Sequence, residues 1–312
     1  MLKSFDYFFV LRPMLFFPGW STLIAGYLIH SKSDLYFPFA QIRSIDYLEL
    51  TGLLILFAAA MGGSFLLNQL QDIESDLKNK KLFLLSEKYI SPKAAWIETL
   101  ILLVIALIFA YKIGTFVLAS TALFIFITGY AYNFKPLQLK NFPIGSLIAN
   151  AIMGWLAFAL GWFTVNEDLT SFLKDSLPYL LFNTSLYLFT TLPDIKGDRI
   201  SKKKTLAVIY GIKPVINLAA LLYLLSIAGA FYAKDYWALM FILPALPFYL
   251  FTLADKRVEL TTKTTKFAIL FFAVAVCLKI PFYFVLMITM FMATRWYFQK
   301  RFNYDYPNFK GE

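Results

Sequence analysis

Long apolar stretches alternate with short polar ones along most of the chain. Nine stretches approach the roughly 20 apolar residues that a helix needs to cross a bilayer. They lie at 14–30, 49–71, 95–112, 115–133, 145–164, 177–192, 214–233, 236–254 and 266–298. The last is longer than one crossing needs, and Lys279 and Pro281 interrupt it, so we expect a kinked or broken helix there. The pattern predicts an all-α, polytopic membrane protein with nine transmembrane helices.

The composition supports this class and narrows the chemistry. Of the 312 residues, 60% are apolar and 15% charged, whereas soluble domains average about 45–50% and about 25%. The single cysteine, Cys277, excludes a disulfide framework within the chain, and the single histidine, His30, excludes sites with several histidine ligands. No long linker divides the sequence, so we expect one domain over 1–312 with its core at about 8–298.

Basic residues are distributed unevenly between the two ends of the predicted helices. The N-terminus and the loops after the even-numbered stretches carry 19 Lys and Arg, and the other loops carry 5. The positive-inside rule therefore predicts that the N-terminus and the even loops are cytoplasmic. The C-terminal cations, beginning at Arg295, break this pattern unless the last stretch re-enters. The net charge of +10 reads first as membrane orientation and contact with anionic lipid, and alternatively as binding of an anionic substrate.

Two acidic motifs follow apolar stretches on the predicted cytoplasmic side. Asn68, Asp72 and Asp76 are spaced by four residues, which places them on one face of an α-helix. Asp194 and Asp198 repeat the step, and Thr190 takes the place that Asn68 holds in the first motif. We expect the two motifs to face each other as a pseudo-repeat.

Several converging carboxylates repel each other unless a cation lies between them. Mg²⁺ suits such a site, because it binds one or two carboxylates together with the phosphate oxygens of a substrate. The motifs therefore predict a site for Mg²⁺ and a diphosphate, and the alternative is two solvated helix ends. Neighbouring cations can neutralise the remaining phosphate charge; these are Lys78, Lys80, Lys81, Arg199, Lys202, Lys203 and Lys204.

At these residues the sequence resembles the UbiA family of intramembrane prenyltransferases. The segment N-Q-L-Q-D-I-E-S-D (68–76) is similar to the family's N-x-x-x-D-x-x-x-D, and D-I-K-G-D-R-I-S-K-K-K-T-L-A-V-I-Y-G (194–211) is similar to its second motif. Arg12-Pro13 and Y-A-Y-N-F-K-P-L-Q-L-K (130–140) match weaker family segments. The resemblance implies nine helices around a central cavity, and Mg²⁺-dependent transfer of a polyprenyl group from its diphosphate to an acceptor.

The resemblance also implies roles for individual residues. Asn68, Asp72 and Asp76 would bind one Mg²⁺, and Asp194 and Asp198 the other, with these four aspartates and Tyr132 forming the catalytic set. The implied diphosphate contacts are Arg12, Asn68, Lys80, Lys135, Lys140, Arg199 and Lys204. One departure is Phe83, which stands where many members have arginine; Lys80 or Lys81 is the expected source of that charge.

The predicted partners are a prenyl diphosphate, a lipophilic or aromatic acceptor and membrane lipid, and we expect no nucleic acid. The quinone, tocopherol and chlorophyll branch is the closest in motif, although no feature selects one acceptor, and Asp198 and Tyr132 are both candidates for the base. A terpene cyclase with the same metal site and a secondary transporter are the alternatives. The expected location is a prokaryotic inner membrane, with the site toward the cytoplasmic face.

Overall fold

The computed structural model describes residues 2–31, 45–79, 83–200 and 203–307, and within these ranges the chain is helical without strands. An all-α fold is thereby confirmed. The long helices are α1 (Phe16–Leu28), α2 (Tyr47–Asn79), α3 (Pro92–Ile113), α4 (Thr115–Phe124, continued by a π-helical segment, Ile125–Ala131), α5 (Pro143–Val165), α6 (Leu169–Thr190), α7 (Ile212–Ala233), α8 (Tyr236–Asp255), α9 (Val258–Lys279) and α10 (Pro281–Phe302). Shorter helices are Leu2–Phe5, Asp6–Phe9, Pro13–Leu15, Ile29–Ser31, Phe83–Ser86, Leu139–Asn141, Ile195–Ile200 and Leu206–Tyr210.

Length and apolarity identify an integral membrane protein. Seven helical segments among the described residues are long and apolar enough to cross a bilayer: Leu2–Leu28, Tyr47–Glu74, Pro92–Ile113, Pro143–Val165, Ile212–Ala233, Tyr236–Asp255 and Val258–Lys279. The predicted stretches 115–133 and 177–192 lie in α4 and α6, which are not among the seven. The count of nine crossings therefore stays a prediction.

Small residues allow α1 and α5 to approach closely. A Cβ atom built on Gly161 would overlap the carbonyl oxygen of Leu23, and one built on Gly26 would overlap the carbonyl oxygen of Phe158. In a bilayer, helices associate through such close packing, because lipid is as apolar as the side chains. The contact holds α1, and the N-terminal segment before it, against the centre of the bundle.

The predicted interruption of the last apolar stretch is confirmed. Helix α9 ends at Lys279 and α10 begins at Pro281, which lacks the N–H group that a continuing helix would use. Tyr283 Oη donates a hydrogen bond to the carbonyl oxygen of Phe17 (2.9 Å), and Tyr297 Oη donates one to Asp6 Oδ1 (2.6 Å). Helix α10 therefore runs antiparallel to the N-terminal segment.

The end of α10 accordingly lies beside the start of the chain. Arg301 contacts the Asp6 carboxylate at 3.3 Å, and the ring of Phe9 stacks on Tyr297 with a centroid distance of 4.0 Å. The C-terminal cations that broke the predicted charge pattern thus follow a helix that returns to the N-terminal end of the bundle. Division of the last stretch into two helices accounts for the exception.

Candidate active site

A cavity of about 330 Å³ opens at this end of the bundle, among α2, α4, α5 and α6. Both acidic motifs line it, although they are more than a hundred residues apart in sequence. Eight of the predicted site residues contribute to its wall: Arg12, Asn68, Asp72, Asp76, Tyr132, Lys140, Asp194 and Asp198. The structure therefore gathers most of the predicted set in one place.

The first motif lies on an uninterrupted part of α2. Lys140 Nζ donates a hydrogen bond to Asp72 Oδ1 at 2.7 Å, and the exposed fractions of the two side chains are 7% and 17%. A lysine so buried requires an opposite charge beside it, because the isolated cation would lose its hydration. Lys140 reaches this position from the short helix Leu139–Asn141, which follows Gln138 in a left-handed conformation (φ 39°).

A neutral side chain that the sequence analysis did not select connects these groups. Asn133 is fully buried, and its Oδ1 accepts hydrogen bonds from Asn68 Nδ2 (2.7 Å) and Lys140 Nζ (3.4 Å). Its position within the quoted segment 130–140 carried the only available signal, a polar residue next to the end of an apolar stretch. Nothing in that segment showed that the side chain points inward.

The second motif has a different local structure despite the same spacing. Helix α6 ends at Thr190, and the chain turns before the short helix Ile195–Ile200, which carries Asp198. Pro193 explains the end of α6, because the residue before a proline is disfavoured in helical conformation. Thr190 Oγ1 donates to the carbonyl oxygen of Tyr187 (2.7 Å), so Thr190 caps its own helix end rather than bonding across the cavity as Asn68 does.

Arg12 supplies a cation on the opposite wall. Its backbone is left-handed (φ 57°), and its Nε atom is buried with no hydrogen-bond partner. The segment before it is fastened to α2, because the buried Gln69 donates from Nε2 to the carbonyl oxygen of Val10 (2.9 Å). A buried, unsatisfied guanidinium donor that lines a cavity is suited to a phosphate or carboxylate oxygen.

The remaining predicted cations lie elsewhere. Lys135, Arg199 and Lys204 are exposed and do not line the cavity, whereas Lys203 does. Lys80 and Lys81 are outside the described residues. Phe83, at the position of the family arginine, packs edge-on against Phe302 with a centroid distance of 4.8 Å, so its ring helps to hold the end of α10.

The donor set fits Mg²⁺ bound together with a phosphate ligand. Within the described ranges, no three Asp, Glu, His or Cys side chains form a ready metal-binding group. Each motif instead offers two carboxylates, and Asn68 adds an amide oxygen. Such hard oxygen donors suit Mg²⁺, which takes the rest of its ligands from water and substrate phosphate.

Sequence comparison decides the family, because the UbiA prenyltransferase family matches residues 20–276. The chain belongs to the UbiA prenyltransferase family. The matched range includes both acidic motifs, Tyr132 and Lys140, while Arg12 and α10 lie outside it.

Curated relatives of this UbiA member are named as prenyl-transferring or related synthases. Digeranylgeranylglyceryl phosphate synthase from Methanosphaera stadtmanae is 28% identical over 59% of this chain and 65% of that protein. Homogentisate phytyltransferase from Synechocystis is 28% identical over 57% and 59%. A 2-acyl-4-prenylphloroglucinol 6-prenyltransferase from Humulus lupulus is 26% identical over 55% and 44%. The match thus spans less than two thirds of each of these relatives.

Solved structures share the fold of this UbiA chain. A UbiA homolog from Archaeoglobus fulgidus bound to GPP and Mg²⁺ superposes with a TM-score of 0.67 and 18% identity, over 88% of this chain and 99% of that one. A digeranylgeranylglyceryl phosphate synthase structure gives 0.66 and 20% identity, over 93% and 100%. At this identity, the likeness establishes the fold alone.

Proposed function

We propose that this protein transfers a prenyl group from a prenyl diphosphate to a lipophilic acceptor, with Mg²⁺ held by the two acidic motifs. One observation carries the proposal: Asp72 and Asp76 line the same cavity as Asp194 and Asp198, together with the unsatisfied Nε atom of Arg12. Carboxylates alone would exclude an anionic substrate, whereas carboxylates and a cation around one cavity suit a metal and a diphosphate together.

Each group has a role in holding the donor. Asn68, Asp72 and Asp76 would hold one metal ion, and Asp194 and Asp198 the other, while Arg12, Lys140 and Lys203 contact phosphate oxygens. When bound, Mg²⁺ neutralises the diphosphate and makes it a better leaving group.

The transfer breaks the bond between the first prenyl carbon and the diphosphate oxygen, and the electron pair leaves with the diphosphate. The acceptor forms the new bond to that carbon and loses a proton, for which Asp198 and Tyr132 are the candidate bases. Phe65, Met153 and Leu15 also line the cavity, and such apolar walls limit the access of water to an electron-deficient prenyl carbon.

The acceptor class is proposed from the relatives. Their names refer to homogentisate, a phloroglucinol and a glyceryl phosphate, which are aromatic or lipid-linked nucleophiles. We propose a lipophilic acceptor that enters from the membrane. We place the cavity at the cytoplasmic face of a prokaryotic inner membrane, because the end of the bundle that carries it also carries most of the basic loops.

The test measures equilibrium binding of GPP to the detergent-purified protein with and without Mg²⁺, beside Asp72→Ala and Asp194→Ala. We expect binding that needs Mg²⁺ and is lost in both variants. Binding that is indifferent to Mg²⁺ and to both substitutions would overturn the proposal. Incubation of the bound donor with and without added homogentisate then separates transfer from cyclisation, since a cyclase forms product without an acceptor.

A further inference from the structure

Asn133 lies at the end of the π-helical segment Ile125–Ala131, under the first acidic motif. Its Nδ2 donates to two backbone carbonyl oxygens, those of Thr128 (3.0 Å) and Gly129 (2.9 Å). Carbonyl oxygens only accept hydrogen bonds, so the amide can adopt just one of its two flipped orientations. Its Oδ1 atom is therefore fixed on the side of α2.

The orientation of Asn133 determines that of Asn68. Because Asn133 Oδ1 is an acceptor, Asn68 must present its Nδ2 to it, at 2.7 Å. The same Nδ2 lies 3.4 Å from Asp72 Oδ2, so both contacts of this amide group use its nitrogen. Asn68 Oδ1 is left on the opposite side of a side chain that lines the cavity.

The support beneath this chain of bonds is rigid. Thr128 Oγ1 donates to Ser64 Oγ of α2 (2.9 Å) and to the carbonyl oxygen of Phe124 (2.7 Å). These bonds fasten the π-helical segment to the helix that carries the motif. Short π-helical segments within α-helices are frequent at functional sites.

We infer that Asn133 is a positioning residue: it turns the Asn68 amide so that Oδ1 is presented as an oxygen ligand for the cation that binds with the diphosphate. Asn133 also accepts from Lys140 Nζ and so supports the Lys140–Asp72 pair. The inference rests on the proposed function, because the cation it serves is the one that accompanies the diphosphate. Asn133 itself does not touch the substrate.

The experiment titrates Mg²⁺ and reads out GPP binding rather than turnover. In Asn133→Leu we expect the Mg²⁺ concentration for half-maximal binding to rise by about 10–100-fold, as is usual when the partner of a metal ligand is removed, with binding recovered at high Mg²⁺. Asn183→Leu is the matched control, since Asn183 Nδ2 bonds to Thr22 Oγ1 (3.1 Å) outside the cavity wall; its midpoint should equal that of the wild type. Asn133→Ser, which keeps a small polar side chain, should shift the midpoint in the same direction.

A double-mutant cycle distinguishes positioning from general loss of structure. If Asn133 acts through Asn68, Asn133→Leu should add little to the shift already produced by Asn68→Ala, whereas independent effects would add. In the wild type, a structure with Mg²⁺ and GPP should place Asn68 Oδ1 about 2.0–2.1 Å from the metal. A wild-type midpoint in Asn133→Leu, additive shifts, or a metal that Asn68 does not contact would each overturn the inference. Failure of the wild type to bind GPP with Mg²⁺ would instead overturn the proposed function.

Discussion

The two acidic motifs have the same spacing but are held by the protein in different ways. The first lies on α2, and its Asp72 forms a largely buried ion pair with Lys140. The second follows the end of α6, where Asp194 is exposed and Asp198 lies half-buried on a six-residue helix. One motif is part of the packed bundle, and the other stands at its edge.

This difference separates two properties that a shared spacing would combine. A buried carboxylate paired with a buried lysine contributes to folding, since removing one partner leaves the other charge without compensation. An exposed carboxylate contributes little to folding because water already solvates it. We therefore expect both motifs to be needed for ligand binding, but only the first to be needed for stability.

The largest effect should come from Asp72→Ala. Loss of this carboxylate leaves Lys140 buried and unpaired, and breaking a buried pair in this way costs about 3–5 kcal/mol. Because Asp72 is 17% exposed, we expect a loss near the lower limit, measured as the free energy of unfolding in mixed micelles. Asp194→Ala is the comparison, and its free energy of unfolding should change by less than about 0.5 kcal/mol. Equal losses in the two variants would remove the distinction between the motifs.

A paired substitution should restore stability without restoring function. In Asp72→Leu combined with Lys140→Met, both charges are replaced by apolar side chains, an exchange that is often neutral for a buried ion pair. We expect its free energy of unfolding to return to within about 1.5 kcal/mol of the wild type, while Mg²⁺-dependent GPP binding stays absent. Recovery of binding would show that Asp72 and Lys140 have only a structural role.

Arg12→Gln should weaken ligand binding with a smaller effect on folding. Its Nε atom has no protein partner, so no hydrogen bond of that atom is lost when the side chain is replaced. Hydrogen bonds to charged groups contribute about 1.5–3 kcal/mol, which corresponds to at least about a tenfold rise in the dissociation constant of GPP at saturating Mg²⁺. An unchanged dissociation constant would exclude Arg12 from the diphosphate site.

The smallest effect should come from the ion pair that joins the two ends of the chain. Asp6→Asn weakens the contact with Arg301 but keeps an acceptor for the Tyr297 hydroxyl, so we expect a loss of about 1 kcal/mol. Asp255→Asn is the control, because Asp255 pairs with Arg257 at the surface, where such pairs contribute about 0–1 kcal/mol. A loss as large as that of Asp72→Ala would mean that the clasp of α10, rather than the first motif, is the main ionic support of this end.

Periodicity made part of this arrangement predictable. Four-residue spacing placed Asn68, Asp72 and Asp76 on one face, and the charge and proline at 279 and 281 indicated a helix break. The match of Lys140 to a family segment led to a residue on the cavity wall. Each of these predictions depended on local geometry or on a short motif.

The rest depended on tertiary contacts. Thr190 matches Asn68 by spacing, but its hydroxyl bonds within its own helix end, which spacing does not show. Lys135 and Lys140 are separated by five residues, yet the turn between them leaves one exposed and buries the other. Asn133 became visible as a hub only when α2 and the π-helical segment were placed side by side.

The most direct test of the two-motif account is GPP binding to Asp194→Ala, measured together with its thermal unfolding. The account predicts an unfolding temperature close to that of the wild type and no Mg²⁺-dependent binding, because the exposed motif serves the ligand and not the fold. Wild-type binding by a folded Asp194→Ala protein would contradict it, since the first motif alone would then hold the metal and the diphosphate.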